Sequence, residues 1–108
     1  MSTYLTAFKQ SAETWAKLVA APEDRRVTLG PVFEAAGGKL LGYWYAFGEI
    51  DGYALFEAPD DVAAASVLIK VGASGALAAS TTKLLTVDEA IEAMKRASAV
   101  DYRAPGSD

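Results

Sequence analysis

Two residue types are missing from the 108-residue chain, and each absence removes a body of chemistry. Without cysteine there is no disulfide framework and no thiolate nucleophile. Without histidine there is no Ser-His-Asp or Cys-His system, no His-ligated zinc and no proximal-His haem. Acid–base work falls to Asp, Glu, Tyr or Lys. Positive charge is sparse as well: ten Lys and Arg against fourteen Asp and Glu leave a net charge of −4. The only adjacent basic pairs are Arg25-Arg26 and Lys95-Arg96, which argues against a nucleic-acid partner. No apolar run reaches the roughly eighteen residues of a membrane-spanning helix, so no membrane partner is expected and the cytoplasm is the expected location. Dense acidic clusters are missing too. Glu49 and Asp51 put two carboxylates in one turn, too few for a calcium or magnesium cage, and neither metal nor cofactor is expected. The stretch GASGALAAS has glycines at 72 and 75 but not the spacing of a phosphate loop, and it leads into a strand.

What the chain does have is apolar surface. Hydrophobic residues make up 52% against 22% charged, a balance that in so small a body favours continued burial against a partner. Its length fits one domain, read as residues 1–98, with 99–108 as a disordered tail. Thr3 to Lys9 reads as a strand, and Ser11 caps a short helix. Pro22, Glu23 and Asp24 read as the opening of a second helical stretch, with Leu29, Val32, Phe33 and Ala36 as its apolar stripe. Pro31 should kink this stretch and Gly37-Gly38 should stop it.

Lys39 to Phe47 and Tyr53 to Ala58 read as strands joined by the connection GEIDG, with Asp51-Gly52 as the hairpin signal. A helix capped by Asp60 or Asp61 and stopping at Gly72 follows, then a fourth strand. Thr86 and Glu89 form a capping box opening a last helix, with Val87, Ala90, Ile91 and Met94 facing inward. The first six elements make a ferredoxin-like βαββαβ arrangement: an α+β fold with a four-stranded antiparallel sheet, both crossover helices on one face, and an extra C-terminal helix.

Alternation places Leu40, Gly42, Trp44 and Ala46 on one side of the second strand and Leu41, Tyr43, Tyr45 and Phe47 on the other. In the third strand Tyr53, Leu55 and Glu57 oppose Ala54, Phe56 and Ala58. Neither strand has a solvated polar face. Helices explain one face, and a second copy of the sheet is the economical cover for the other. The expected assembly is a homodimer or a higher oligomer. Tyr43, Tyr45, Tyr53 and Glu57 are the candidate ligand-binding residues. Glu57, mid-strand among apolar residues, is also the catalytic candidate, since burial would raise its pKa. Asp51 reads as a turn residue and Asp60-Asp61 as a cap.

The segments YLTAFK, GGKLLGYWYAFGEIDGYALFEAPDD and GASG…TTKLLT, in that order, resemble the GYD-domain family of small bacterial proteins over about Tyr4 to Glu92. That resemblance implies a ferredoxin-like domain pairing as a dimeric α+β barrel, and it brings no activity with it. Ala76 and Ala78 stand where the family usually has asparagine and arginine, Ile50 where it has an aromatic, and Gly30-Pro31 is unusual. A polar site of the family would be reduced here. The functional expectation is a homodimeric binder of a small apolar or aromatic ligand. The alternatives are a cofactor-free isomerase, cyclase or monooxygenase in which Glu57, a tyrosine or Lys9 moves protons, and a purely structural assembly protein.

Overall fold

In the computed structural model, which describes residues 1–106, alternation along Ser2–Gln10 makes the first strand, β1. Tyr4, Thr6, Phe8 and Gln10 are buried on one side of it. The crossover that follows is two helices. Ala12–Ala20 (α1) is capped by Ser11, whose hydroxyl accepts the Thr14 N–H. Arg25–Ala35 (α2) is capped by Asp24, which accepts the Arg26 N–H and both forks of its guanidinium. Pro22 therefore lies outside α2 rather than opening it. The Asp24 carboxylate satisfies an orphan amide that proline cannot use, and that places the start at Arg25. Gly37, at φ +84°, supplies the left-handed stop after α2.

Lys39–Tyr45 (β2), Gly52–Ala58 (β3), Asp61–Ala73 (α3), Leu77–Leu84 (β4) and Val87–Ala97 (α4) complete the order. The sheet runs β2-β3-β1-β4, antiparallel throughout. This is the expected α+β, ferredoxin-like arrangement with a four-stranded sheet. Its core is a stack of rings: Phe56, with no exposed surface, lies 5.2 Å from Tyr4 and 4.6 Å from Phe33, centroid to centroid. Ala58, Ala64 and Val67 close around it.

One register and three boundaries differ from the expectations. The β2–β3 register shifts between Leu40 and Gly42, so that Leu40 pairs Phe56 while Gly42 pairs Leu55. This bulge turns Leu40 onto the helix-covered face with Tyr43 and leaves Gly42 and Trp44 on the other, with the Trp44 indole lying over Gly42. The β2–β3 connection is six residues, 46–51, and Gly52 is already in the strand. Gly52 is required by close approach rather than by a turn: a Cβ there would collide with the Phe8 ring and the Trp44 carbonyl. Helix α3 runs past Gly72 to Ala73, and Gly75 at φ +76° follows it.

The capping box of Thr86 and Glu89 is present, yet α4 buries none of its residues. Val87, Ile91 and Met94, expected to face inward, are exposed, as is Leu85 before them. The chain's radius of gyration of 17.8 Å stands well above the roughly 13 Å of a compact domain this long, because α4 is set off from the α/β layers. Residues 99–106 carry no helix or strand; residues 107–108 of the expected tail lie outside the described residues.

Gly52→Ala is expected to destabilise the chain by about 1–3 kcal/mol in urea unfolding, since backbone and ring must both shift. Gly72→Ala, in open helical space, is expected to stabilise it by about 0.5–1 kcal/mol.

Candidate functional site

The helices cover the sheet unevenly. Where α1 gives way to α2, the layer opens into a cleft of about 450 Å3, within the range of small-molecule sites. Leu18, Leu29, Val32, Val71 and Leu77 make its walls apolar, and Tyr43 forms part of the floor. A smaller void of about 40 Å3 continues between sheet and helices beneath Phe8, Phe33 and Val67.

A chain of rings supports this end of the sheet. Phe8 stacks on Tyr43 at 5.4 Å, Tyr43 meets Tyr45 edge-on at 5.4 Å, and Tyr45 leans on Trp15 of α1 at 5.9 Å. Such pairs contribute about 0.5–1.5 kcal/mol each beyond the area they bury. Burial raises the Tyr43 phenol's pKa well above that of a free tyrosine, helped by a hydrogen bond with Tyr45. The Tyr43 hydroxyl is therefore neutral at any physiological pH.

Asp51 fastens the same region. One of its carboxylate oxygens accepts the Gln10 backbone N–H at 2.8 Å and the Trp15 indole N–H at 3.4 Å, while its own N–H donates to the Phe8 carbonyl. A residue legible only as a turn former thus joins β1, the β2–β3 connection and α1. Nothing in its neighbourhood along the sequence signals the two distant donors.

Gln10, the last residue of β1, is 8% exposed and lines the cleft. Its side-chain nitrogen has no hydrogen-bond partner in the protein, a state that costs about 1–3 kcal/mol. Lys17, Glu23, Arg25 and Lys70 are the charged residues of the lining, three cations to one anion in a chain that is acidic overall. Glu23 is paired to Arg25 and Lys17 to Glu13; Lys70 makes no ion pair among the described residues.

The four candidates divide between two faces. Tyr43 and Tyr45 lie on the helix-covered side with the cleft. Tyr53 and Glu57 project from the opposite side of β3, where Tyr53 pairs Trp44 and Glu57 sits between Thr3 and Lys39 in register. Gln10, Arg25 and Lys70 carried no signal in the sequence, because a Gln at a strand end and isolated cations are ordinary surface residues until the fold brings them together. Ala76 lines the cleft, and Ala78 pairs Lys9 on the uncovered face.

A second cluster, Tyr4, Asp61 and Lys83, is a fastening. The Tyr4 hydroxyl donates to Asp61 Oδ1 at 2.6 Å and Lys83 Nζ lies 3.0 Å from the same atom, tying the first turn of α3 to β1 and β4. The Tyr4 bond, then Lys83, hold the Asp61 carboxyl below its ordinary pKa. Among the described residues no group of three or more acidic side chains is arranged to hold a metal ion, and no helix is long and apolar enough to cross a membrane.

The GYD-domain family model matches residues 4–94. The chain belongs to the GYD-domain family. No curated protein matches it. In this GYD domain the matched span ends within α4, so it takes in the sheet except Ser2 and Thr3 of β1, and every residue lining the cleft.

Two pH effects follow for the GYD domain. A lowered Asp61 pKa stabilises the fold above the ordinary carboxylate value, and that contribution is lost as pH falls below about 4. Asp61→Asn is expected to remove this part of the acid limb in urea midpoints measured from pH 7 to pH 2.5. A raised Tyr43 pKa contributes stability below about pH 10 that is lost as pH rises further. Tyr43→Phe is expected to flatten that alkaline fall and to leave unchanged the tyrosinate absorbance that develops up to about pH 11.

Proposed function

We propose that this GYD domain is a homodimeric binder of a small, largely apolar ligand, held in the cleft between α1, α2 and the sheet. The observation that carries the reading is a largely apolar cleft of about 450 Å3 where α1 gives way to α2. Binding is favoured over turnover because of what the lining contains. Its one carboxylate, Glu23, is taken up by Arg25, and Glu57 lies on the far side of the sheet.

The dimer rests on a different surface. Leu5, Ala7, Leu55, Tyr53, Trp44 and Leu84 share the face of the sheet opposite α2 and α3, and among the described residues no helix packs extensively on it. Four strands about 4.8 Å apart, each paired over about seven residues of 3.4 Å, span roughly 450 Å2 per copy in projection. Two such faces approach the roughly 1,000 Å2 of a specific interface. The exposed stripe of Leu85, Val87, Ile91 and Met94 on and before α4 adds further apolar area. A second copy of this chain matches both surfaces at once, as a two-fold pair requires.

Sedimentation equilibrium at micromolar concentration is expected to give twice the chain mass, and Leu55→Lys with Trp44→Glu to give a folded monomer. A monomer from the wild-type chain overturns the dimer. The neutral fluorophore N-phenyl-1-naphthylamine is expected to bind with a Kd of roughly 0.1 mM or tighter. Val32→Trp, which fills the cleft, is expected to abolish that binding while the fold is kept. Unaltered binding by Val32→Trp overturns the cleft as the site.

A further inference from the structure

We propose that α4 is a clasp exchanged between two copies of this chain, its apolar stripe lying along the β2 edge of the other copy's sheet, over Leu41 and Trp44. The inference rests on the face-to-face pairing proposed above, and it adds which edge of one copy receives the C-terminal helix of the other.

The two edges of the sheet are unlike. β4 carries Ser80, Thr81, Thr82 and Lys83, and an edge so polar can stand in water. β2 reads KLLGYWY, with Lys39 as its single charge and no proline. Leu41, at the bulge, and Trp44 and Tyr45 are about half exposed, and Phe47 just beyond the strand is fully exposed. The bulge bends this strand but does not cover its side chains, and a bare apolar edge invites association with other chains.

α4 is the chain's spare cover, and it starts at the wrong edge. Leu85 and Thr86 join it directly to β4, whereas β2 is three strand spacings away, about 14 Å. Within the chain α4 packs extensively on no other element. Val87, Ile91 and Met94 lie on one side of it, at spacings of four and three, and are exposed.

A two-fold axis running along the strands, between the two sheets, removes the mismatch. That rotation sets β4 of one copy over β2 of the other. Leu84, Thr3, Glu57 and Lys39 lie at one level across the sheet, so α4 enters at the Lys39 end of the facing β2. Its eleven residues extend about 16 Å, and Lys39 to Trp44 is about 17 Å of strand. The stripe is long enough to reach Leu41 and Trp44 together. The charges agree with this direction. The acidic first turn, Asp88 and Glu89, comes to Lys39, while Lys95 and Arg96 fall at the far end, an arrangement that fixes register more than affinity.

The area points the same way. The sheet faces by themselves fall short of the roughly 1,200–2,000 Å2 of a stable specific interface. Stripe and edge, each used twice by symmetry, supply the difference. The other two-fold, running across the strands, stacks β4 on β4 and leaves both β2 edges bare.

Because the chain has no cysteine, introduced thiols report the geometry. Leu41→Cys and Ile91→Cys, one of them carrying an affinity tag, are unfolded together in urea, refolded and oxidised with copper phenanthroline. The mixed disulfide-linked pair is expected to exceed by at least fivefold the product either variant gives alone. Ile91→Glu with Met94→Glu, both at positions exposed in the single chain, is expected to raise the dimer dissociation constant at least tenfold in sedimentation equilibrium, with the far-ultraviolet circular dichroism unchanged. Ile91→Cys linking to itself while the mixed pair is absent means that α4 packs on α4, and overturns the clasp. An unaltered dissociation constant, or no mixed pair from a wild-type dimer, overturns it as well and leaves the sheet pairing standing. A monomeric wild-type chain overturns both.

Discussion

A four-stranded sheet has two faces, and this chain has helices enough for one. Helices α2 and α3 bury Tyr4, Phe56, Ala58 and their neighbours on the covered side, while α4 stands apart with its apolar stripe exposed. Every other property of the molecule is arranged around that shortfall. Apolar area left in water carries a standing free-energy cost of about 25 cal/mol per Å2. The covered side is where the cleft lies, and the uncovered side is the one on which the proposed second copy would sit.

The cleft exists because the first crossover is broken. A single long helix from Ala12 to Ala35 would lie over β1 and β2 and close the layer. Ser11 and Asp24 each cap a separate start instead, and Ala21 to Asp24 let α1 swing off the axis of α2. The gap is kept in shape from below. Asp51 holds the end of β1 to α1 through Gln10 and Trp15, and the Phe8–Tyr43–Tyr45–Trp15 rings fill what would otherwise collapse. Gly52 belongs to the same arrangement, since the Phe8 ring occupies the space where its side chain would be.

Elements that local chemistry dictates were legible in the sequence. Alternation in β1 and β3, the Thr86–Glu89 capping box and the Gly37 stop each rest on residues within four positions of one another, and the structure has them. Features set by distant partners were not. The bulge at Leu40–Gly42 is a matter of cross-strand register, which inverts the parity of Leu40 without changing the composition of β2. Asp51-Gly52 looks like a two-residue turn because the pair is common there, yet the glycine is demanded by an aromatic ring forty-four residues earlier in the chain and by the Trp44 carbonyl. The tyrosines were grouped by type, and the sheet then divided them, with Tyr53 and Glu57 on one side and Tyr43 and Tyr45 on the other. Gln10 escaped notice because an unsatisfied donor is a property of surroundings.

The break between α1 and α2 also separates two things that usually change together. Lys17 and Leu18 precede it, Glu23 lies in it, Arg25 follows it, and all four line the cleft, whereas the sheet registers and the Phe56 stack lie elsewhere. Lengthening so short a connection costs only about 0.6 kcal/mol per doubling. Relatives built on this plan can therefore diversify the width and polarity of the chamber by insertion at one junction, and the β-scaffold beneath inherits none of the strain.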